Sequence, residues 1–193
     1  MDKTVERNIG IDVPISAKSN KVKGSIGELS GYAIKFNKPS VPEAPFTEYI
    51  APHALDRVDM SKVLVLYDHN YANVLGRVDA GTLDLSIDKV GLKFTVQVPD
   101  TSLGRDVYAN VKAGNLKGMS FGFTVAKGGD SWNRMNTKPT RTINKIEKIN
   151  EISIVSMPAY DDTSVNVTRN FDSFKKYKEQ NYRQKVIYYL DHM

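Results

Sequence analysis

From about Ser25 to Val167, apolar residues arrive in short β-branched or aromatic runs, cut at close intervals by Gly, Pro, Asn and Asp. Runs of that length and punctuation predict strands. They are GSIGELSGYAIKF (24–36), KVLVLYD (62–68), GRVDAGTLDLSID (76–88), GLKFTVQVP (91–99), GMSFGFTVAK (118–127), TRTINKIEKI (140–149) and NEISIVSMP (150–158). So many strands at close spacing predict a mainly β, α+β domain closed as a barrel or stacked as a sandwich. Helices are few. APHALDRVD (51–59) is a short candidate, and TSLGRDVYANVKAGN (101–115) a better one, with Thr101 or Ser102 as N-cap, a stripe of Leu103, Val107 and Val111, and Gly114 beyond its end.

The flanks differ from this core. Residues 1–24 are polar and mixed and predict a flexible N-terminal arm. Residues 168–193 have few helix breakers and carry Phe171, Phe174, Tyr177, Val186 and Tyr189, which predicts an amphipathic helical extension outside the 25–167 domain.

Composition removes several chemistries. The 193 residues include no cysteine, so disulfides, thiolate zinc sites and cysteine nucleophiles are excluded. The first residues lack the apolar core of a signal peptide, and no stretch is as long and apolar as a membrane span, so a soluble intracellular protein is expected. The net charge of +5 would permit contact with nucleic acid, but its 27 basic and 22 acidic residues are interleaved, which speaks against nucleic-acid binding as the main function. No constellation of metal ligands is visible, and no cofactor is expected.

One stretch raises a chemical question. In Gly118-Met119-Ser120-Phe121-Gly122 a serine stands between two glycines. On a strand, Phe121, Phe123 and Val125 point one way and Ser120, Gly122 and Thr124 the other. That second face carries almost no bulk. It either lies against a neighbouring element or water, or offers Gly122 and Thr124 as a groove along which a substrate backbone passes close to Ser120.

A serine hydroxyl needs a base to act as a nucleophile at neutral pH, and a group to orient that base. Of the three histidines, His192 is the penultimate residue and His53 reads as part of a short helix start. His69 closes the apolar run VLVLYDHN just before the turn-forming NYAN, a place where reactive side chains are commonly held, although a surface role fits it too. In NEISIVSMP, Ile152 and Ile154 take the core side and Glu151 and Ser153 the other. Glu151 could then accept a hydrogen bond from the imidazole, or be a solvated strand-end residue; Asp68 is its rival. The GxSxG pattern also matches the nucleophile elbow of α/β-hydrolases, but those place acid and histidine after the serine, on alternating strands and helices. Here only His192 follows Ser120.

Taken in order, the blocks GYAIKFN, FTEYIAPHAL, LVLYDHNYANVLGRV, GLKFTVQVPDTSLGRDVYANVKAGNLKGMSFGF, a single Trp, RTI and EISIVSMPAYDDTSV resemble the HK97-type prohead proteases, maturation serine proteases of tailed phages and prophages. The resemblance implies that His69, ahead of Leu75-Gly76-Arg77, is the base, that Ser120 is the nucleophile, and that Glu151 is the third member. It also implies a fold similar to the herpesvirus assembly proteases, a β-barrel with a few peripheral helices, although those use a second histidine as third member. His53 stands where the family usually has glycine, which marks it as non-catalytic, and Asp-His-Asn replaces the more usual Asn-His-Asp around the base.

The implied partners are the major capsid protein and the scaffold protein. The implied reaction is cleavage of scaffold, or of a scaffold-like N-terminal segment of the capsid protein, and of the protease itself, inside the procapsid assembling in the host cytoplasm. Self-association is compatible with this role, and a membrane is not part of it. Two other classes stay open: a non-catalytic assembly module that kept the fold, and a small-molecule esterase, which would carry a deep apolar pocket in place of an open groove.

Overall fold

The computed structural model describes residues 5–9, 16–18, 24–40, 46–133 and 138–155, the first two segments by their backbone alone. The chain divides at Met1–Ala159 and Tyr160–Met193. The helical extension expected over 168–193 lies outside the described residues.

Among the described residues, twelve strands and one α-helix follow in order: β1 (Val5–Ile9), β2 (Ser16–Lys18), β3 (Ser25–Lys35), β4 (Thr47–Ile50), β5 (Leu64–Tyr67), β6 (Asn70–Arg77), β7 (Leu83–Ile87), β8 (Gly91–Pro99), α1 (Ser102–Lys112), β9 (Gly118–Val125), β10 (Asp130–Asn133), β11 (Thr140–Ile143) and β12 (Ile146–Val155). They form a five-stranded sheet ordered β1-β9-β12-β5-β6, a four-stranded sheet β2-β3-β8-β7 and a three-stranded sheet β10-β11-β4. The two larger sheets share one apolar core, with Leu29, Leu92, Phe94, Val96 and Val98 from one side and Val65, Phe121, Phe123, Ile152 and Ile154 from the other.

Strand β8 shows why these residues make a sheet. Leu92, Phe94, Val96 and Val98 are buried in alternation with Lys93, Thr95 and Gln97, which fits the two-residue period of a strand covered on one face. Helix α1 begins where the sequence places it. Thr101 Oγ1 accepts from the Gly104 N–H, Val107 and Val111 are buried, and Gly114 follows in the left-handed region at φ 77°.

Four expectations are corrected. The sheets do not close into one barrel among the described residues: β6 is the end strand of its sheet, and the chain leaves it through a 3-10 turn (Val78–Ala80) for β7, which pairs with β8, so no ladder joins the two sheets there. The polar arm includes β1 and β2, which pair antiparallel with β9 and β3; backbone pairing at a sheet edge needs no apolar alternation to announce it. The segment at 51–59 is a series of turns whose Ala54 carbonyl accepts from the Ile146 N–H, not a helix. Asn70 to Asn73, read as a turn, opens strand β6.

The small sheet is tied by a buried ionic group. Arg141 on β11 donates to Glu48 (3.1 Å) and Asp130 (2.7 Å), and its guanidinium lies 5.7 Å from the centre of the Trp132 ring. Arg141 and Glu48 are only 6 and 4 % exposed, so removing the cation strands a carboxylate away from water. Arg141→Met is expected to destabilise the fold by about 3–5 kcal/mol. Urea unfolding of the variant beside the parent protein measures this.

Candidate active site

The site is built on one face of the five-stranded sheet by β9, β12 and the turn that joins β5 to β6. Tyr67 pairs with Asn70, so Asp68 and His69 are the two central residues of a tight hairpin. Both have positive φ, 48° and 56°, as a type I′ turn requires. Asp, Asn and His enter this region more readily than most residues, yet each still carries about 1–2 kcal/mol of backbone strain. Two hydrogen bonds to β12 offset it: the Asp68 N–H donates to the Ile154 carbonyl (3.0 Å), and the His69 N–H donates to Ser153 Oγ (3.2 Å).

Strand β12 lies between β5, to which it runs parallel, and β9, to which it runs antiparallel. Both of its faces are buried. Ile152 and Ile154 fill the core, while Glu151 and Ser153, on the other face, are 1 and 0 % exposed. Glu151 is therefore no solvated strand-end residue. Its Oε1 lies 3.0 Å from His69 Nδ1, and its Oε2 accepts from the Ser153 hydroxyl. An ionised carboxylate only accepts, so Nδ1 carries the hydrogen, and in the neutral imidazole that leaves the lone pair on Nε2. That tautomer is the one a general base needs.

Strand β9 supplies the serine. Ser120 pairs with Ser153 and Gly122 with Glu151 across the antiparallel ladder. Directly opposed residues share a face, with Cβ atoms about 4.5–5.5 Å apart. Ser120 is thus brought to the same face as the Glu151–His69 pair, and it is fully buried there. A Cβ built on Gly122 would stand 2.7 Å from Glu151 Oε1, so the carboxylate lies close against the bare backbone there. Thr124, the other expected groove residue, is half-buried farther along β9.

Gly122→Ala is accordingly expected to leave the sheet folded while displacing the carboxylate from the imidazole. Activity should fall by roughly tenfold to a hundredfold, the scale of one lost charge-assisted hydrogen bond. Turnover measured beside the thermal midpoint separates this from unfolding.

The remaining candidates fall elsewhere. The His53 side chain is 87 % exposed and faces Asp56 at 3.2 Å. Asp68 shares the hairpin with His69, but the carboxylate that reaches Nδ1 is that of Glu151. His192 lies outside the described residues. Among the described residues no group of three or more His, Cys, Asp or Glu is placed to hold a metal ion, and no helix is long and apolar enough to cross a membrane. Ser153 was not singled out from sequence as part of the site. Its only signal there is its position two residues after Glu151, on the same strand face.

The fold has a counterpart among solved structures. The bacteriophage T4 capsid assembly protease, gp21, superposes with a TM-score of 0.52 at 10 % identity, over 79 % of this chain and 97 % of that one. At that identity the likeness is one of fold. No curated protein matches the chain. The family model of the caudovirus prohead serine proteases matches residues 13–177, a span that holds His69, Ser120 and Glu151. This chain therefore belongs to the caudovirus prohead serine protease family.

Proposed function

We propose that the chain is an active serine endopeptidase of capsid maturation, with Ser120 as nucleophile, His69 as general base and Glu151 as the group that orients and stabilises the imidazole. The observation that carries this reading is the contact of 3.0 Å between Glu151 Oε1 and His69 Nδ1, on the sheet face that Ser120 shares. Ser120 Oγ attacks the scissile carbonyl carbon while its proton passes to His69 Nε2. The imidazolium so formed is stabilised by the Glu151 carboxylate at its other nitrogen. When the tetrahedral intermediate collapses, Nε2 returns the proton to the departing amine and the acyl group stays on Oγ. Water, deprotonated by the same nitrogen, then releases the acyl group and restores the serine.

The proposed substrates are the scaffold protein, or a scaffold-like N-terminal segment of the major capsid protein, and the protease itself. The proposed place of action is the interior of the assembling procapsid. Enclosure with its substrates raises their effective concentration, so modest sequence selectivity suffices. The test is co-expression with the capsid and scaffold proteins of the same phage or prophage, reading intact masses. New termini in capsid or scaffold are expected. Assembly of particles with every component at full mass would instead favour a non-catalytic assembly module.

A further inference from the structure

We infer that Ser153 is a positioning residue of this site, holding both members of the Glu151–His69 pair through one hydroxyl oxygen. The inference rests on the reading of His69 as base and Glu151 as its orienting acid. Ser153 is fully buried in the central strand of the five-stranded sheet, where packing alone would favour an apolar residue. A hydroxyl buried there requires partners. Those it has are the Glu151 carboxylate, to which it donates at Oε2, and the His69 backbone N–H, from which it accepts at 3.2 Å.

The two contacts restrain different freedoms. The terminal torsion of a glutamate is broad, so a bond at Oε1 alone does not fix the plane of the carboxylate. A donor at Oε2 fixes the second oxygen and holds Oε1 against Nδ1. On the far side the backbone of Gly122 leaves room for the carboxylate, with no space for even a methyl group. The His69 N–H belongs to a non-glycine residue at φ 56°, in a turn whose strain is tolerated only while its hydrogen bonds to β12 are made. Ser153 thus sets the backbone that carries the base and the carboxylate that orients it. Its hydrogen is directed to Glu151.

The test uses the full chain labelled with 15N-histidine. It follows the downfield Nδ1–H resonance of His69, assigned by its loss in His69→Ala, together with the rate at which a fluorophosphonate labels Ser120. Ser153→Ala is expected to keep its circular dichroism and stay folded at the assay temperature with a thermal midpoint lowered by a few degrees, to lose the Nδ1–H resonance through exchange with water, and to slow labelling about tenfold to a hundredfold. Ser153→Thr, which keeps the hydroxyl, is expected to retain the resonance and a rate within a few-fold of the parent. An unchanged resonance and rate in Ser153→Ala would overturn the inference. So would a folded Ser153→Thr that behaves like the alanine variant, or the absence of the resonance from the parent protein. A parent protein that resists the fluorophosphonate, yet loses the resonance on Ser153→Ala, would uphold the positioning role and refute the peptidase reading instead.

Discussion

Ser120→Ala is expected to abolish cleavage of capsid or scaffold protein on co-expression, lowering turnover by about six orders of magnitude, the scale on which serine proteases lose activity with their nucleophile. The fold should be untouched. Only one oxygen is removed, no charge is left without a partner, and the neighbouring Phe121 and Phe123, which stack at 5.1 Å and anchor β9 in the core, remain. The base is better tested by His69→Asn than by alanine. Asparagine tolerates the left-handed backbone of the hairpin, so the strain stays covered while the imidazole is gone. It should be as inactive as Ser120→Ala. His53→Ala, on an exposed turn, should process at the parent rate. Intact masses of the co-expressed proteins, with circular dichroism of each purified variant, decide the matter. Complete processing by a folded Ser120→Ala would remove this residue as nucleophile.

Glu151→Gln is expected to lower kcat by about three to four orders of magnitude, with KM little changed. The amide has nearly the shape of the carboxylate, so it fits above Gly122, but it offers one oxygen where Glu151 offers two. His69 Nδ1 and the Ser153 hydroxyl both bond to those oxygens. If the amide turns its oxygen to Ser153, its NH2 faces Nδ1, which must then give up its hydrogen and leave Nε2 protonated, the wrong tautomer for a base. If it turns its oxygen to Nδ1, the tautomer survives but the imidazolium formed during acyl transfer has lost its counter-charge. Either arrangement slows chemistry more than binding. Unchanged turnover in a folded Glu151→Gln would mean that Glu151 does not serve the reaction.

Gly122→Ala and Ser153→Ala disturb the same carboxylate from opposite sides. Because both act through Glu151, their effects should not add: once Glu151→Gln is in place, either change should cost little more.

The pattern of residues along the chain was enough for the elements whose local and global demands agree. Leu92, Phe94, Val96 and Val98 alternate because one face of β8 is core and the other is not, and Thr101 opens α1 because its hydroxyl meets the Gly104 N–H three residues on. The same is true of the order of His69, Ser120 and Glu151, which speaks against the hydrolase elbow, and of the placing of Phe121 and Phe123 on the core side of β9.

Other features exist only once strands are neighbours. Asp-His is not a typical pair for a type I′ turn, and Asn70 to Asn73 looks like turn chemistry; the hairpin falls at 68–69 because β12 supplies the acceptors at Ile154 and Ser153. Glu151 and Ser153 read as an outward face because alternation reports the period of a strand and not what covers it, and β12 is a central strand with both faces buried. Edge strands β1 and β2 pair through backbone groups that every sequence carries, so their composition gave no sign of them. That β6 ends one sheet and β7 ends another, in place of a barrel, is a property of strand pairing and not of either strand's own pattern. Sequence alone determined that a serine, a histidine and a glutamate were present, and in what order. The tertiary structure decided that the carboxylate beside His69 is that of Glu151 and that it lies against Gly122, because each of these is a distance between strands apart in the chain.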